Sequence, residues 1–86
     1  MPYRIKFRDS AVEELEKIPR NIQETIVKAI DNRTAIDPYG FGKSLKGKWK
    51  GCYRLRVGSY RIIYEIIEKE VIVFVIKIGI RGDVYS

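Results

Sequence analysis

Cys52-Tyr53-Arg54-Leu55-Arg56-Val57-Gly58-Ser59-Tyr60-Arg61-Ile62-Ile63-Tyr64-Glu65-Ile66-Ile67 is the stretch that decides the fold. From Cys52 to Val57, arginine alternates with apolar side chains, the period-2 pattern of a half-buried strand. Gly58-Ser59 interrupts the pattern, and a β-branched and aromatic run then resumes, so the stretch reads as a β-hairpin closed by a tight turn. With Gly58 and Ser59 as the loop, Val57 faces Tyr60 and Arg56 faces Arg61. Arg54 lies two residues along on the same face. Three guanidinium groups thus share one patch, although like charges directly opposite on a sheet are destabilising. Folding does not call for that arrangement; binding a polyanion does.

The charge around the hairpin extends the patch. Lys43, Lys46, Lys48 and Lys50 lead into it, and no acid occurs between Lys43 and Tyr64. The 86-residue chain carries a net charge of +6. Residues 1–42 hold seven basic and seven acidic side chains, which cancel, so the whole surplus belongs to residues 43–86. Lysine on the wet face of a sheet ordinarily serves solubility alone. A surplus confined to one half, with no compensating acid along the strands, points instead to a directed anionic partner such as nucleic acid.

Outward from the hairpin the pattern is α+β. Tyr3-Arg4-Ile5-Lys6-Phe7 alternates and reads as a first strand. Ser10 followed by Glu13 is a capping-box signature for a helix with Ala11, Leu15 and Ile18 on one face. Pro19 ends that helix. A second helix, roughly Asn21 to Arg33, places Ile22, Ile26, Ala29 and Ile30 on its buried face, so the two helices form an antiparallel hairpin. Asp37 to Lys50, punctuated by Pro38, Gly40, Gly42 and Gly47, reads as a loop. Its Tyr39, Phe41, Leu45 and Trp49 could stack on bases or pin the loop; pinning is the expectation for Leu45 and Trp49. Beyond the hairpin, Glu68-Lys69 marks a turn, and the apolar run from Val71 to Ile80 reads as a strand buried on both faces or at the sheet centre. The order β-α-α-β-β-β predicts a small antiparallel sheet with an N-terminal helical hairpin on one face, and residues 1–86 as one domain.

Composition excludes several chemistries. There is no histidine, which removes Ser–His and Cys–His nucleophilic sites, histidine-based zinc sites and two-histidine ribonuclease chemistry. The single cysteine, Cys52, permits no intramolecular disulfide and fits a reducing compartment. It reads as a small buried hydrophobe. No signal peptide precedes Tyr3 and no apolar run approaches bilayer length, so the expectation is a cytoplasmic protein without cofactor or metal.

The motifs resemble a known family. Leu45-Lys46-Gly47, Tyr53-Arg54-Leu55-Arg56-Val57-Gly58, Tyr60-Arg61-Ile62-Ile63-Tyr64, and Arg81 followed by Tyr85 are similar to the RelE branch of the RelE/ParE toxin superfamily, over nearly the whole chain. The resemblance implies the toxin of a type II toxin–antitoxin pair that cleaves mRNA in the ribosomal A site. Its partners are then a RelB-like, acidic, partly disordered antitoxin, the ribosome and mRNA. It implies a basic active site in which Arg54 and Arg56 match positions often filled by lysine. Arg61 matches the phosphate-binding arginine, Arg81 a catalytic arginine, and Tyr85 the tyrosine that contacts mRNA. The sequence departs from that pattern in having arginine at both first positions, and arginine cannot serve as a proton-accepting base. It also ends one residue after Tyr85, where some relatives continue into a C-terminal helix.

Such a site can cut RNA without histidine or metal. The ribose 2′-hydroxyl attacks the adjacent phosphate, leaving a 2′,3′-cyclic phosphate and a free 5′-hydroxyl, and fixed guanidinium groups stabilise the added charge of the five-coordinate phosphorane. Tyr85 either stacks on a base or helps remove the proton, with Glu65 and Asp83 as alternative bases. Lys43, Lys46, Lys48 and Lys50 are expected to grip ribosomal RNA. Two alternatives share the same basic face: a ParE-type toxin that poisons DNA gyrase, and a non-catalytic ribosome- or RNA-binding module.

Overall fold

The computed structural model describes residues 2–80. Five strands, β1 (Arg4–Phe7), β2 (Lys43–Ser44), β3 (Tyr53–Val57), β4 (Tyr60–Ile67) and β5 (Ile72–Ile80), form one sheet in the order β1-β5-β4-β3-β2. Helices α1 (Asp9–Glu16) and α2 (Arg20–Ala29) cover one face of the sheet, as the α+β pattern requires.

The hairpin forms as its residues dictate. Gly58 has φ +58 and is followed by Ser59 with an ordinary negative φ, the combination of a type II′ turn. That turn fixes the register: Val57 faces Tyr60, Arg56 faces Arg61, Leu55 faces Ile62 and Arg54 faces Ile63. Leu55, Ile62 and Tyr64 point to the helical side, where they join Val73, Val75 and Ile78 of β5 and Ala11, Ile18, Ile26, Ala29 and Ile30 of the helices. Strand alternation sends Arg54, Arg56 and Arg61 to the opposite face. β5, between β1 and β4, buries residues of both parities, Ile72 and Ile76 as well as Val73 and Val75.

The sheet is mixed where an antiparallel one was expected. β1 runs parallel to β5, Arg4 facing Ile72 and Phe7 facing Val75, because α1 and α2 carry the chain across one face before the remaining strands are laid down. It also has a fifth strand, β2, inside the segment expected to be loop. That segment contains a short helix too, α3 (Pro38–Phe41), with Asp37 as its N-cap accepting from the Gly40 N–H at 3.0 Å and Pro38 at its first position. A 3₁₀ turn, Gly47–Trp49, completes it.

Two helix boundaries also differ. The Ser10–Glu13 capping box is not used. α1 begins at Asp9, and its N-cap, Arg8, makes no side-chain cap. The Arg8 N–H is bonded to the Val75 carbonyl at 2.9 Å, so the β1–β5 ladder sets where the helix starts. The second helix passes at Ile30 into a π-turn, Ile30–Thr34. There the Ile30 carbonyl accepts both the Ala35 N–H, at 2.9 Å, and the Thr34 hydroxyl, at 2.8 Å.

Candidate RNA-binding and cleavage site

The type II′ turn and the β3–β4 register bring three of the proposed arginines together. Arg56 and Arg61 are directly opposed, and Arg54 is two residues along, about 7 Å by strand rise. On its other side Arg61 faces Gly79 of β5, which presents no side chain of its own there. Arg61 is only 4% exposed, while Arg54 is half-buried and Arg56 exposed. Arg54 is held tightly enough that its Nε is buried, with no hydrogen-bond partner among the described residues. A buried guanidinium group is costly unless something anionic meets it.

Lys43 and the other lysines separate. Lys43 lies on β2 and faces Arg54, which adds it to the arginine cluster. Lys46, Lys48 and Lys50 sit on the β2–β3 connection, closed by the Leu45 N–H bonded to the Cys52 carbonyl at 3.0 Å. That connection is at the opposite end of β3 from Arg56 and the Gly58 turn. All three are exposed, and the Lys48 ammonium lies 5.8 Å from the centre of the Trp49 ring. Leu45 and Trp49 are half-buried, as expected for pinning residues, whereas Tyr39 and Phe41 stay 49% and 52% exposed.

The candidate bases separate too. Glu65 is half-buried on β4, opposite Phe74 and past the register shift between Ile63 and Tyr64. Four residues from Arg61, it is about 13 Å along the strand. Arg81, Asp83 and Tyr85 lie outside the described residues. Burial raises the Cys52 thiol above its ordinary range, with the nearby Glu65 adding to the effect and Arg8 opposing it, which suits an inert side chain.

Tyr64 and Arg33 had no assigned part in the sequence reading, yet both shape the site. The Tyr64 ring is fully buried and stacks on Tyr53, and its hydroxyl donates to the Pro38 carbonyl at 2.6 Å. Burial raises its phenol strongly, which keeps it a donor and not a base. Gly42 passes so close that a Cβ there would fall 1.8 Å from the Tyr64 hydroxyl oxygen. Tyr64 thereby fixes the chain that leads from α3 into Lys43. Arg33 protrudes from the π-turn against the same segment and lines a cleft with Phe41, Lys43, Arg54 and Arg56. The Asp37-Pro38 pair, a helix-start signal, could have revealed α3; no sequence pattern marks the π-turn that presents Arg33.

A helical hairpin on one face of a mixed sheet, with clustered arginines on the other, defines a small α+β protein with a basic sheet face. A family model described as the ParE toxin of the type II toxin–antitoxin system parDE matches residues 5–85. Toxin RelG of Mycobacterium tuberculosis is 29% identical over 85 residues, covering 99% of this chain and 98% of that protein. The mRNA interferase toxin RelE of Escherichia coli K12 is 31% identical over 90 residues, covering 100% of this chain and 93% of that protein. Among solved structures, the toxin–antitoxin complex RelBE2 of M. tuberculosis matches with a TM-score of 0.88 at 27% identity, over 94% of this chain and 100% of that one. The intact E. coli RelBE toxin–antitoxin complex matches with a TM-score of 0.77 at 29% identity, over 93% and 98%. The chain belongs to the RelE/ParE superfamily of type II toxin–antitoxin toxins, on its RelE branch.

Proposed function

We propose that this toxin is a ribosome-dependent endoribonuclease that cleaves mRNA in the ribosomal A site and so halts translation. The observation that carries the reading is the opposition of Arg56 and Arg61 with Arg54 alongside, an arrangement that costs stability and finds its use on a phosphate. The description of the similar E. coli protein as an mRNA interferase supports the same reaction class.

In the proposed reaction the ribose 2′-oxygen bonds to phosphorus as the bond from phosphorus to the 5′-oxygen breaks. The proton leaves the 2′-hydroxyl for a base, and another reaches the departing 5′-oxygen. Arg61 holds the scissile phosphate, and Arg54 and Arg56 meet the neighbouring phosphorane oxygens. Arg81 serves the leaving-group side, and Tyr85 either stacks on a base or takes the proton. None of the four arginines can be that base, and Glu65, four residues along β4 from Arg61, is the weaker alternative. Tyr85 and Asp83 are therefore the favoured candidates. No resident metal is needed in this scheme, since the guanidinium groups supply the positive charge. Lys46, Lys48 and Lys50, at the far end of β3, grip ribosomal RNA; Lys43 belongs with the arginines.

The partner that silences the toxin is proposed to be an acidic, RelB-like antitoxin with a segment that folds on binding, since similar toxins have been solved as toxin–antitoxin complexes. A cytoplasmic location follows from that reading; no helix among the described residues is long and apolar enough to cross a membrane.

A ParE-type action on DNA gyrase is the second reading, favoured by the description of the matching family model. Cell-free translation with primer extension on the mRNA separates the possibilities. Codon-spaced cuts support the proposal. Gyrase-linked DNA breaks with intact mRNA support the second reading, and stalled but uncut mRNA supports a non-catalytic binder.

A further inference from the structure

The β2–β3 ladder stops short, and the gap it leaves has a defined chemistry. Ser44 faces Tyr53 and Lys43 faces Arg54; the next antiparallel pair would be Gly42 with Leu55. Instead the chain turns back into α3, and a cleft of about 380 Å³ opens between that segment and the edge of β3. Arg33, Lys43, Arg54 and Arg56 line it, and no carboxylate among the described residues does. None of those four cations forms an ion pair with a described acid. The Arg54 Nε is buried there without a partner among the described residues. Phe41 joins the lining while remaining 52% exposed, so its ring is open to a ligand in the cleft.

The walls are held in place. The Tyr64 hydroxyl grips the Pro38 carbonyl, the Asp37 carboxylate caps α3, and Gly42 fills the one gap beside Tyr64 that admits no Cβ. A cation cluster beside an open aromatic face is the chemistry of single-stranded RNA, in which phosphates meet guanidinium groups and an unpaired base stacks on a ring.

We infer that this cleft is a nucleotide subsite flanking the scissile position. One phosphate of single-stranded RNA sits among Arg33, Lys43 and Arg54, and the attached base stacks on Phe41. The inference rests on the RNA reading above and adds to it Arg33 and Phe41, which lie outside the three-arginine cluster. An acidic peptide would also satisfy the cations, but it offers no flat face for Phe41, so the nucleotide is the better match.

The test is fluorescence anisotropy of a labelled 2′-O-methyl RNA hexamer, which cannot be cut, titrated with the full chain over a salt series. Arg33→Gln should weaken binding about 5-fold and lower the log–log salt slope by about 0.7. Phe41→Ala should weaken it by about 5- to 100-fold with the slope unchanged, and Phe41→Tyr should restore it. Far-UV circular dichroism confirms the fold of each variant, and both side chains are exposed. RNA binding unaltered in both variants overturns the subsite. So does loss of binding to a glutamate-rich peptide of equal length while RNA binding persists, since that assigns the cleft to an acidic chain. Failure of the cleavage proposal looks different. If the toxin never cuts mRNA on ribosomes yet Arg33→Gln and Phe41→Ala lose the hexamer, the reaction is wrong and the subsite stands.

Discussion

On β5, Lys77 meets a carboxylate; on β3, Arg54 and Arg56 have none among the described residues. The Glu14 carboxylate accepts the Ile78 N–H at 2.9 Å and the Lys77 ammonium at 3.3 Å, tying α1 to the sheet. Glu68, just beyond β4, accepts the Tyr3 hydroxyl at 2.9 Å and the Tyr39 hydroxyl at 2.6 Å. The bond to Glu68 pushes the Tyr39 phenol up to about 12, with desolvation adding to it. Lys43, Arg54 and Arg56, with Arg33 across the cleft, have no described carboxylate to pair with. The described carboxylates pair with Lys77, Tyr3 and Tyr39, and none of them pairs with Arg33, Lys43, Arg54 or Arg56. Helix α3 links the two regions. Tyr39 is anchored to the acidic side, and Phe41 at the other end of the same helix faces the basic cleft.

The contrast predicts that function and stability part company at β3. The double variant Arg54→Ala/Arg56→Ala should lose at least ~10²-fold in single-turnover mRNA cleavage on programmed ribosomes. Its melting temperature should hold or rise, because the repulsion against Arg61 and Lys43 is relieved. A large fall in melting temperature would show instead that the arginines support the fold.

Gly42→Ala probes the wall between the two regions. Its Cβ collides with the hydroxyl oxygen of a fully buried tyrosine that is already bonded to the Pro38 carbonyl. Urea denaturation should register a loss of about 1–3 kcal/mol. An unchanged midpoint would mean that α3 is free to shift, and the cleft with it.

On the compensated side, Glu14→Ala removes the acceptor for both the Ile78 N–H and Lys77. The side chains of that ion pair are 29% and 32% exposed, so water screens it and the expected cost is about 1 kcal/mol, read by the same denaturation. Cleavage should be untouched.

The smallest effect is expected at Val71, a β-branched residue with φ +55 at the turn into β5. Asparagine tolerates that left-handed conformation better, so Val71→Asn should gain up to about 1 kcal/mol. A loss there would mean that the half-exposed valine contributes more by packing than its backbone costs.

The hairpin, and with it the Arg54, Arg56 and Arg61 cluster, was legible because two rules fixed it without help from distant residues. Alternation chose the face, and the Gly58-Ser59 loop chose the register. The buried faces of the helices were legible for the same reason: Ile26, Ala29 and Ile30 recur at helical spacing. What escaped depended on contacts far apart in sequence. The parallel pairing of β1 with β5 joins residues from opposite ends of the chain, and strand patterns carry no record of direction. The start of α1 answers to a bond from Arg8 to Val75 and overrides the local Ser10–Glu13 signal. β2 is two residues long, too short for any periodicity. The cleft is assembled from a π-turn, a helix end and two strands, so Arg33 and Phe41 read as an ordinary surface cation and a loop aromatic.

Single-turnover cleavage of mRNA on saturating programmed ribosomes, measured alongside ribosome affinity, tests the central claim most directly. Arg61→Ala removes the most buried of the clustered arginines. It should slow cleavage by at least ~10²-fold and leave ribosome affinity nearly unchanged. Neutralising Lys46, Lys48 and Lys50 together should do the reverse, weakening and flattening the salt dependence of binding while the saturated rate survives. Cleavage by Arg61→Ala at the parental rate would contradict the account, because the chemistry would then not depend on the arginine cluster.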